Sequence, residues 1–400
     1  GQPDLESPQR TQGLTMSKPR VLLAITVYNG TDIVPRAMRS AALLRQDTID
    51  VDVLMLDDAS PQPEFSEEIA QLADELGMGY YRTPRNLGIV RNVNLGLLRA
   101  LEAGYDYVLV SNSDVIYPAS LVEQLVAVAQ TDERIGSVVA LSNNVSIYSL
   151  PNADPDRFLS SQETVDELTG WLTEAFGLEC VDIPAGISFA MLITAKALHT
   201  VGIMDPIFGR GYCEETDWSR RCLGAGLRLV MAPSVFVYHA GQGSTAAEGM
   251  LKPGHSTVPE HEAILDLRYP DFRTDVQKFF DSGANDDMHF KALETIVVQG
   301  AQRYGYALTT TALEQPAQDQ AVVSLSTAPD GSTVGVGGFR GFSSPLEAGA
   351  DPLPAVIALL GQKPNSLALR STQPVSAVVA ASAETMGVTA DDQRRYPERV

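Results

Sequence analysis

Apolar runs broken off by short polar clusters and separated by stretches of helical spacing constrain this chain more than any other feature. Arg20-Val-Leu-Leu-Ala-Ile-Thr-Val-Tyr28 stops at Asn29-Gly30, and Val51-Asp-Val-Leu-Met-Leu56 stops at Asp57-Asp58-Ala59-Ser60-Pro61. Tyr105 to Ser111 stops at Asn112-Ser113-Asp114, and Gly136 to Leu141 is a further apolar run. Continuous apolarity is what a strand buried on both faces requires. Helical periodicity fills Asp32 to Leu44, Ser66 to Leu76 and the stretch from Asn86 to Ala103, with a short strand at Gly79 to Arg82. Strands alternating with helices predict βαβ units, right-handed crossovers and an α/β fold with a mostly parallel sheet. In such a sheet the ligand lies outside the carboxyl ends of the strands. The polar clusters Thr26 to Asn29, Asp57 to Ser60 and Asn112 to Asp114 fall at three such ends. Turn chemistry accounts for any one of them; three together point to a site.

Later parts of the chain change character. Gly186 to Thr194 is apolar again, and Met204 to Trp218 leads into a helix through Gly226. Two short strands follow, Leu227 to Val230 and Val235 to Tyr238, ending at His239-Ala-Gly-Gln-Gly-Ser244. Thr245 to Pro259 has Gly, Pro and small residues without periodicity, which predicts a mobile loop able to close over a ligand. Beyond Asn285, a helix at Asp286 to Tyr304 precedes a hairpin around Asp330-Gly331. A helix at Pro352 to Leu360 and strands at Ser366 to Arg370 and Val375 to Ala380 complete the reading. The expected organisation is a disordered tail over 1–18, a main domain over 19–284, and a helix with a small α+β accessory domain over 285–400.

Charge and composition narrow the partners. A formal net charge of −21 disfavours nucleic acid and anionic lipid surfaces, while helix termini or a metal can still hold a small phosphorylated ligand. No stretch approaches the roughly 20 apolar residues of a membrane helix. Gly1 to Pro19 lack the apolar run of a secretory signal. Cys180, Cys213 and Cys222 form no CxxC pair, which fits small buried hydrophobes and a reducing, cytoplasmic location. Peripheral attachment at the inner face of a membrane would then need partners.

The strand-end residues suit a particular chemistry. Asp114 is a hard oxygen ligand for Mg²⁺ or Mn²⁺, and His239 on a later strand end could add a nitrogen. Such an ion would neutralise a departing diphosphate. Glu214, Glu215 and Asp217 crowd three carboxylates into four positions, which raises at least one pKa toward general-base range. Acids that merely stabilise a helix N-terminus would look the same.

Taken in order, Thr26-Val-Tyr-Asn29, Asp57-Asp-Ala-Ser60, Asn86-Leu-Gly with Asn94-Leu-Gly96, Asn112-Ser-Asp114, Gly211 to Trp218 and His239 to Ser244 resemble glycosyltransferase family 2. The resemblance covers roughly Pro19 to Asp281 and implies an inverting enzyme with a GT-A fold. It implies that Thr26 and Asp58 meet the base and ribose, with Tyr28 and Asp57 in the same loops and Arg91 near the phosphates. Asn112-Ser113-Asp114 takes the place of the DxD motif, with Asp114 and His239 on the metal. Glu215 matches the base position, flanked by Glu214 and with Asp217 behind it; Trp218 would line the acceptor site, and Gly186 would let backbone approach the donor sugar. Asn112 removes one charge from the metal site, a variant that resembles rhamnosyltransferase-like members and leaves UDP- and dTDP-linked donors open. The base position holds Glu where the family has Asp. The acceptor would be a glycan, a lipid-linked saccharide or a small molecule, and a C-terminal unit of this size could serve self-association. Two other readings remain: a nucleotidyltransferase, against which stands the lack of Lys or Arg in Thr26 to Gly30, and a nucleotide-sugar or glycan-binding protein without catalysis. A dehydrogenase is excluded because no GxGxxG follows the first run.

Overall fold

The computed structural model describes residues 17–145, 148–241, 258–310, 320–370 and 372–389. Its first sheet is built from β1 (Arg20–Val27), β2 (Asp50–Asp57), β3 (Gly79–Arg82), β4 (Tyr107–Asn112), β5 (Val115–Ile116), β6 (Ile135–Ser142), β7 (Val181–Asp182), β8 (Ala190–Thr194) and β9 (Arg228–His239). The spatial order is β3-β2-β1-β4-β8-β6-β9-β5, with β7 also on β9. The pairs β3–β2, β2–β1, β1–β4 and β6–β9 are parallel. Strand β8 runs antiparallel to both β4 and β6. Neighbouring residues of β1 serve opposite faces: Leu22 joins one apolar core, and Val21, Leu23 and Ile25 join the other. Burial on both faces is the reason these strands read as unbroken apolar runs.

Helices α1 (Ile33–Ala41), α2 (Pro63–Glu75), α3 (Ile89–Ala103) and α4 (Leu121–Ala129) connect the early strands. Then come α5 (Pro155–Leu159), α6 (Gln162–Phe176), α7 (Ala195–Val201) and α8 (Glu214–Gly224). Two further helices, α9 (Val258–Arg268) and α10 (Phe272–Asp281), lead to the long α11 (Ala284–Tyr304). The result is a mixed α/β architecture with a large, mostly parallel sheet flanked by helices.

A second sheet comprises β10 (Tyr306–Thr309), β11 (Ala321–Thr327), β12 (Thr333–Phe339), β13 (Phe342–Leu346) and β14 (Ser366–Ala368), in the order β13-β12-β11-β10-β14. Helices α12 (Pro352–Leu360) and α13 (Pro374–Met386) accompany it. Buried residues of α11, among them Met288, Ile296 and Ala301, carry one apolar core from the first sheet into the second through Phe339 and Phe342. The β12–β13 turn, Arg340-Gly341, takes positive φ at both residues, as a two-residue hairpin requires. It plugs into the first unit: Arg340 pairs with Glu167 at 2.7 Å, and Ala153 N–H donates to the Gly341 carbonyl at 2.9 Å.

Three expectations change. The two strands drawn at Leu227–Val230 and Val235–Tyr238 are one strand, β9. Its pairing with β6 jumps from Ala140↔Ala232 to Leu141↔Phe236, so the irregularity absorbs Pro233, which has no N–H for the ladder. Val375–Ala380 lies in helix α13 rather than a strand, because Pro374 opens it and Val375, Val379 and Ala383 share its buried face at helical spacing. Elements α4, α9, α10, β10 and β13 also stand where no element was expected. The loop expected at Thr245 to Pro259 lies outside the described residues up to 257, and helix α9 already begins at Val258. Of the expected tail, 1–16 also lie outside them.

Candidate active site

At one end of the site, pairing of β5 with the end of β9 sets Val115 opposite His239 and so brings Asp114 beside the imidazole. Asp114 is buried; its Oδ1 lies 3.2 Å from His239 Nε2, and its Oδ2 has no hydrogen-bond partner. His239 Nδ1 lies 2.6 Å from the Asn144 carbonyl. A carbonyl can only accept, so Nδ1 carries the proton and Nε2 is turned toward Asp114. Asn143 clamps the His239 backbone on both sides at 2.9 Å, Phe189 stacks on the ring at 5.8 Å, and the Asn112 amide lies 3.3 Å from Nε2. Burial works against a charged ring, but the hydrogen bond and charge of Asp114 outweigh it and raise the His239 pKa. Asp114 thus faces the imidazole through Oδ1 while its buried Oδ2 keeps no donor, a pair of side chains that fits a divalent cation. No group of three or more His, Cys, Asp or Glu gathers among the described residues. A cation here would therefore complete its shell with water and phosphate oxygens, as Mg²⁺ and Mn²⁺ do.

The second strand end is a self-contained polar knot. Asp57 is fully buried and accepts from Ser60 N–H, Ser60 Oγ, Ser66 Oγ and Tyr80 OH at 2.6–2.9 Å. Burial would raise its pKa, but these hydrogen bonds outweigh burial and lower it. Asp58 accepts from Leu87 N–H at 2.7 Å, Gly88 N–H at 2.8 Å and Thr83 Oγ1 at 3.1 Å. Both carboxylates thus tie loops together. Asn29 and Ala59 hold left-handed φ of 60° and 53°, and Asn29 N–H donates to Ser60 Oγ, so the two loops share one strained arrangement. Thr26 is buried beside them with its hydroxyl toward the Ser111 carbonyl at 3.3 Å; Tyr28 and Ser113 are half-buried, and Arg91 is exposed on α3.

The acidic end begins with Gly211, Tyr212 and Cys213 at φ of 131°, 70° and 75°. Helix α8 follows, with Glu214, Glu215 and Asp217 in its first turn. Glu214 is 4% exposed and its Oε2 has no partner; burial first, then the charge of Glu215, raises its pKa well above the carboxylate range. Glu215 is half-exposed. Asp217 is fully buried and saturated: it accepts from Arg268 at 2.7 Å and from Arg221 and Tyr269 at 2.9 Å each. Trp218 is fully buried too, its indole N–H donating to the Gly202 carbonyl at 2.9 Å, and it presents no exposed face. Burial pushes the Cys213 thiol up to about 12, so it is no nucleophile at neutral pH.

Close approaches link the three ends. Gly186 N–H donates to Ser219 Oγ of α8 at 2.9 Å, and a Cβ on Gly186 would lie 2.9 Å from the Met191 methyl, so this backbone packs closely against both α8 and β8. Three residues on, the Phe189 carbonyl accepts from the Asn112 N–H and the Phe189 ring stacks on His239. A Cβ on Gly88, whose φ is +83°, would lie 2.9 Å from Arg210 Cα, so the turn held by Asp58 abuts the loop that starts α8. Sequence reasoning missed Asn143, Asn144, His261, Arg268 and Tyr269, which carry no motif and become visible only through these contacts.

Residues 23–192 match the family model described as Glycosyl transferase family 2. That segment resembles a glycosyltransferase family 2 domain and, with the relatives that follow, supports a glycosyltransferase. Undecaprenyl-phosphate mannosyltransferase of Micrococcus luteus is 26% identical over 224 residues, 54% of this chain and 84% of that protein. Succinoglycan biosynthesis protein ExoO of Rhizobium meliloti is 24% identical over 262 residues, 62% of this chain and 68% of that protein. Neither is named as a rhamnosyltransferase, so these relatives support the glycosyltransferase and not the finer likeness. The crystal structure of GalNAc-T7 with UDP, GalNAc and Mn²⁺ aligns with a TM-score of 0.44 at 14% identity, covering 56% of this chain and under half, 44%, of that one. No described helix of this glycosyltransferase is long and apolar enough to cross a membrane.

Proposed function

We propose that the domain transfers a sugar, with inversion at the anomeric carbon, from a UDP- or dTDP-linked donor to an acceptor hydroxyl. The observation that carries this reading is the orphaned, buried Oδ2 of Asp114 beside an imidazole held toward it. Asp114 and His239, with Asn112 beside them, would hold Mn²⁺ or Mg²⁺. That ion, when bound, supplies positive charge to the diphosphate leaving group. Asn112 brings no charge, so Asp114 is the only anion in this donor set. The knot of Asp57 and Asp58 acts on the nucleotide by shape, because both carboxylates are engaged with their own loops; Thr26, Tyr28 and Ser113 at the strand ends and Arg91 on α3 remain for contact.

Among the three acids, Glu214 retains its proton well above the carboxylate range, and Asp217 spends both oxygens on Arg221, Arg268 and Tyr269. Glu215 is left to act as the base. It removes the proton of the acceptor hydroxyl as that oxygen attacks the anomeric carbon, and the bond from that carbon to the diphosphate oxygen breaks on the opposite face. The relative named as an undecaprenyl-phosphate mannosyltransferase supports a lipid-linked acceptor.

Two measurements test the reading. A thermal-shift panel of nucleoside diphosphates, with and without Mn²⁺, should show the true ligand adding about 2.7 kcal/mol at about 100 times its Kd. Glu215→Gln should lower kcat about 10²–10⁴-fold while nucleotide binding by calorimetry is unchanged. Normal turnover in Glu215→Gln refutes the assignment.

A further inference from the structure

Helix α9 grips the acidic end of the site from both sides, through residues without a motif. At its start His261, 7% exposed, places Nδ1 2.8 Å from the Gly211 carbonyl and 3.1 Å from the Tyr212 carbonyl. Both partners accept, so Nδ1–H is a shared donor to consecutive carbonyls. The ring also stands edge-on to buried Phe208, with centroids 5.5 Å apart. At its end Arg268 bridges Asp217 and Asp205 at 2.7 and 2.9 Å. Between the two grips lies the segment that aims Glu215.

That segment needs holding. Gly211, Tyr212 and Cys213 take positive φ in succession, and two of them carry a Cβ. Each such residue costs on the order of 1–2 kcal/mol, and relaxation toward right-handed φ would swing the start of α8. The Asp217 N–H donates to the Cys213 carbonyl at 2.9 Å, so the first turn of α8 registers directly on this loop.

We propose that His261 is a positioning residue for transfer: its Nδ1–H fixes the Gly211 and Tyr212 carbonyls, keeps the loop left-handed, and so holds Glu215 where an acceptor hydroxyl is deprotonated. This rests on Glu215 as the base. His261 itself touches no substrate.

The test compares His261→Ala, His261→Phe and His261→Asn, since an asparagine amide N–H occupies the place of Nδ1–H. His261→Ala and His261→Phe should lower kcat about 10²-fold, with donor KM unchanged and nucleotide bound at normal stoichiometry; His261→Asn should recover most of the loss. Amide exchange supplies a readout without turnover: the Asp217 amide should exchange at least about tenfold faster in His261→Ala and return toward wild type in His261→Asn. Where His261→Ala does not fold, His261→Phe and His261→Asn carry the comparison. Equal losses in all three variants, or normal kcat and exchange in His261→Ala, overturn the proposal. Glu215→Gln run alongside separates the failures: if it is inactive while His261→Ala is normal, only the positioning role falls. If Glu215→Gln is fully active, the base assignment falls, and the exchange result alone decides whether His261 holds the loop.

Discussion

Replacing Asp217 by Asn should loosen the anchor of α8 while leaving the reacting groups in place. The carboxylate is fully buried and accepts three hydrogen bonds, two from guanidinium groups. Asn is nearly isosteric but retains one acceptor oxygen, and its NH₂ meets an arginine donor. A hydrogen bond to a charged group is worth about 1.5–3 kcal/mol net, and breaking a buried pair costs about 3–5 kcal/mol. Arg221 and Arg268 are 31% and 34% exposed, so water recovers part of the loss. Arg221 also keeps the Val201 and Ile203 carbonyls, and Arg268 keeps Asp205. The discounted figure is about 3 kcal/mol, a fall in Tm of about 4–6 °C. Urea unfolding with an unchanged m value measures it. A loss below about 1 kcal/mol would show that the buried network is not what holds α8. Measured well below its Tm, Asp217→Asn should lose far less turnover than Glu215→Gln; the reverse ranking would make Asp217 the base.

Two further predictions concern burial. Glu214 has a folded pKa raised above its unfolded value, so its stabilising contribution is complete below the ordinary carboxylate range, about 4.3, and is lost as pH rises toward the folded pKa. Glu214→Gln removes this dependence, so its stability relative to wild type should grow as pH rises; parallel urea curves from acid to alkaline pH would contradict the buried neutral acid. Gly300→Ala would put a Cβ 2.5 Å from the Phe339 ring, where α11 meets the second sheet. At so short a contact overpacking costs about 2–3 kcal/mol, offset by about 1 kcal/mol of helix propensity, which predicts a net loss of about 1–2 kcal/mol by denaturant unfolding. Neutral or raised stability would mean that α11 and β12 do not pack tightly at Gly300.

Legibility in the sequence followed the range of the interaction. β1 and β3 could be read within a residue or so of their ends, because burial on both faces leaves unbroken apolar runs and the breaks are local turn chemistry. Val375–Ala380 misled because three β-branched residues lie close together. Its true period shows only once Ala383 is seen to share the buried face of Val375 and Val379. Asp57 and Asp58 stood out as polar strand-end residues, yet that they are consumed by Ser66, Tyr80, Leu87 and Gly88 depends on which loops fold over them.

The sequence by itself determined the alternating α/β architecture, the polar strand ends and the order of motifs, since periodicity and turn preference act over a few residues. Tertiary structure decided how the three acids differ. Glu214, Glu215 and Asp217 are adjacent and chemically alike, but one is sealed from water and one is saturated by Arg221, Arg268 and Tyr269. Arg268 lies 51 positions from Asp217, and Asn144 lies 95 from His239. Desolvation and partners at that separation are properties of the packed chain, and no local pattern encodes them.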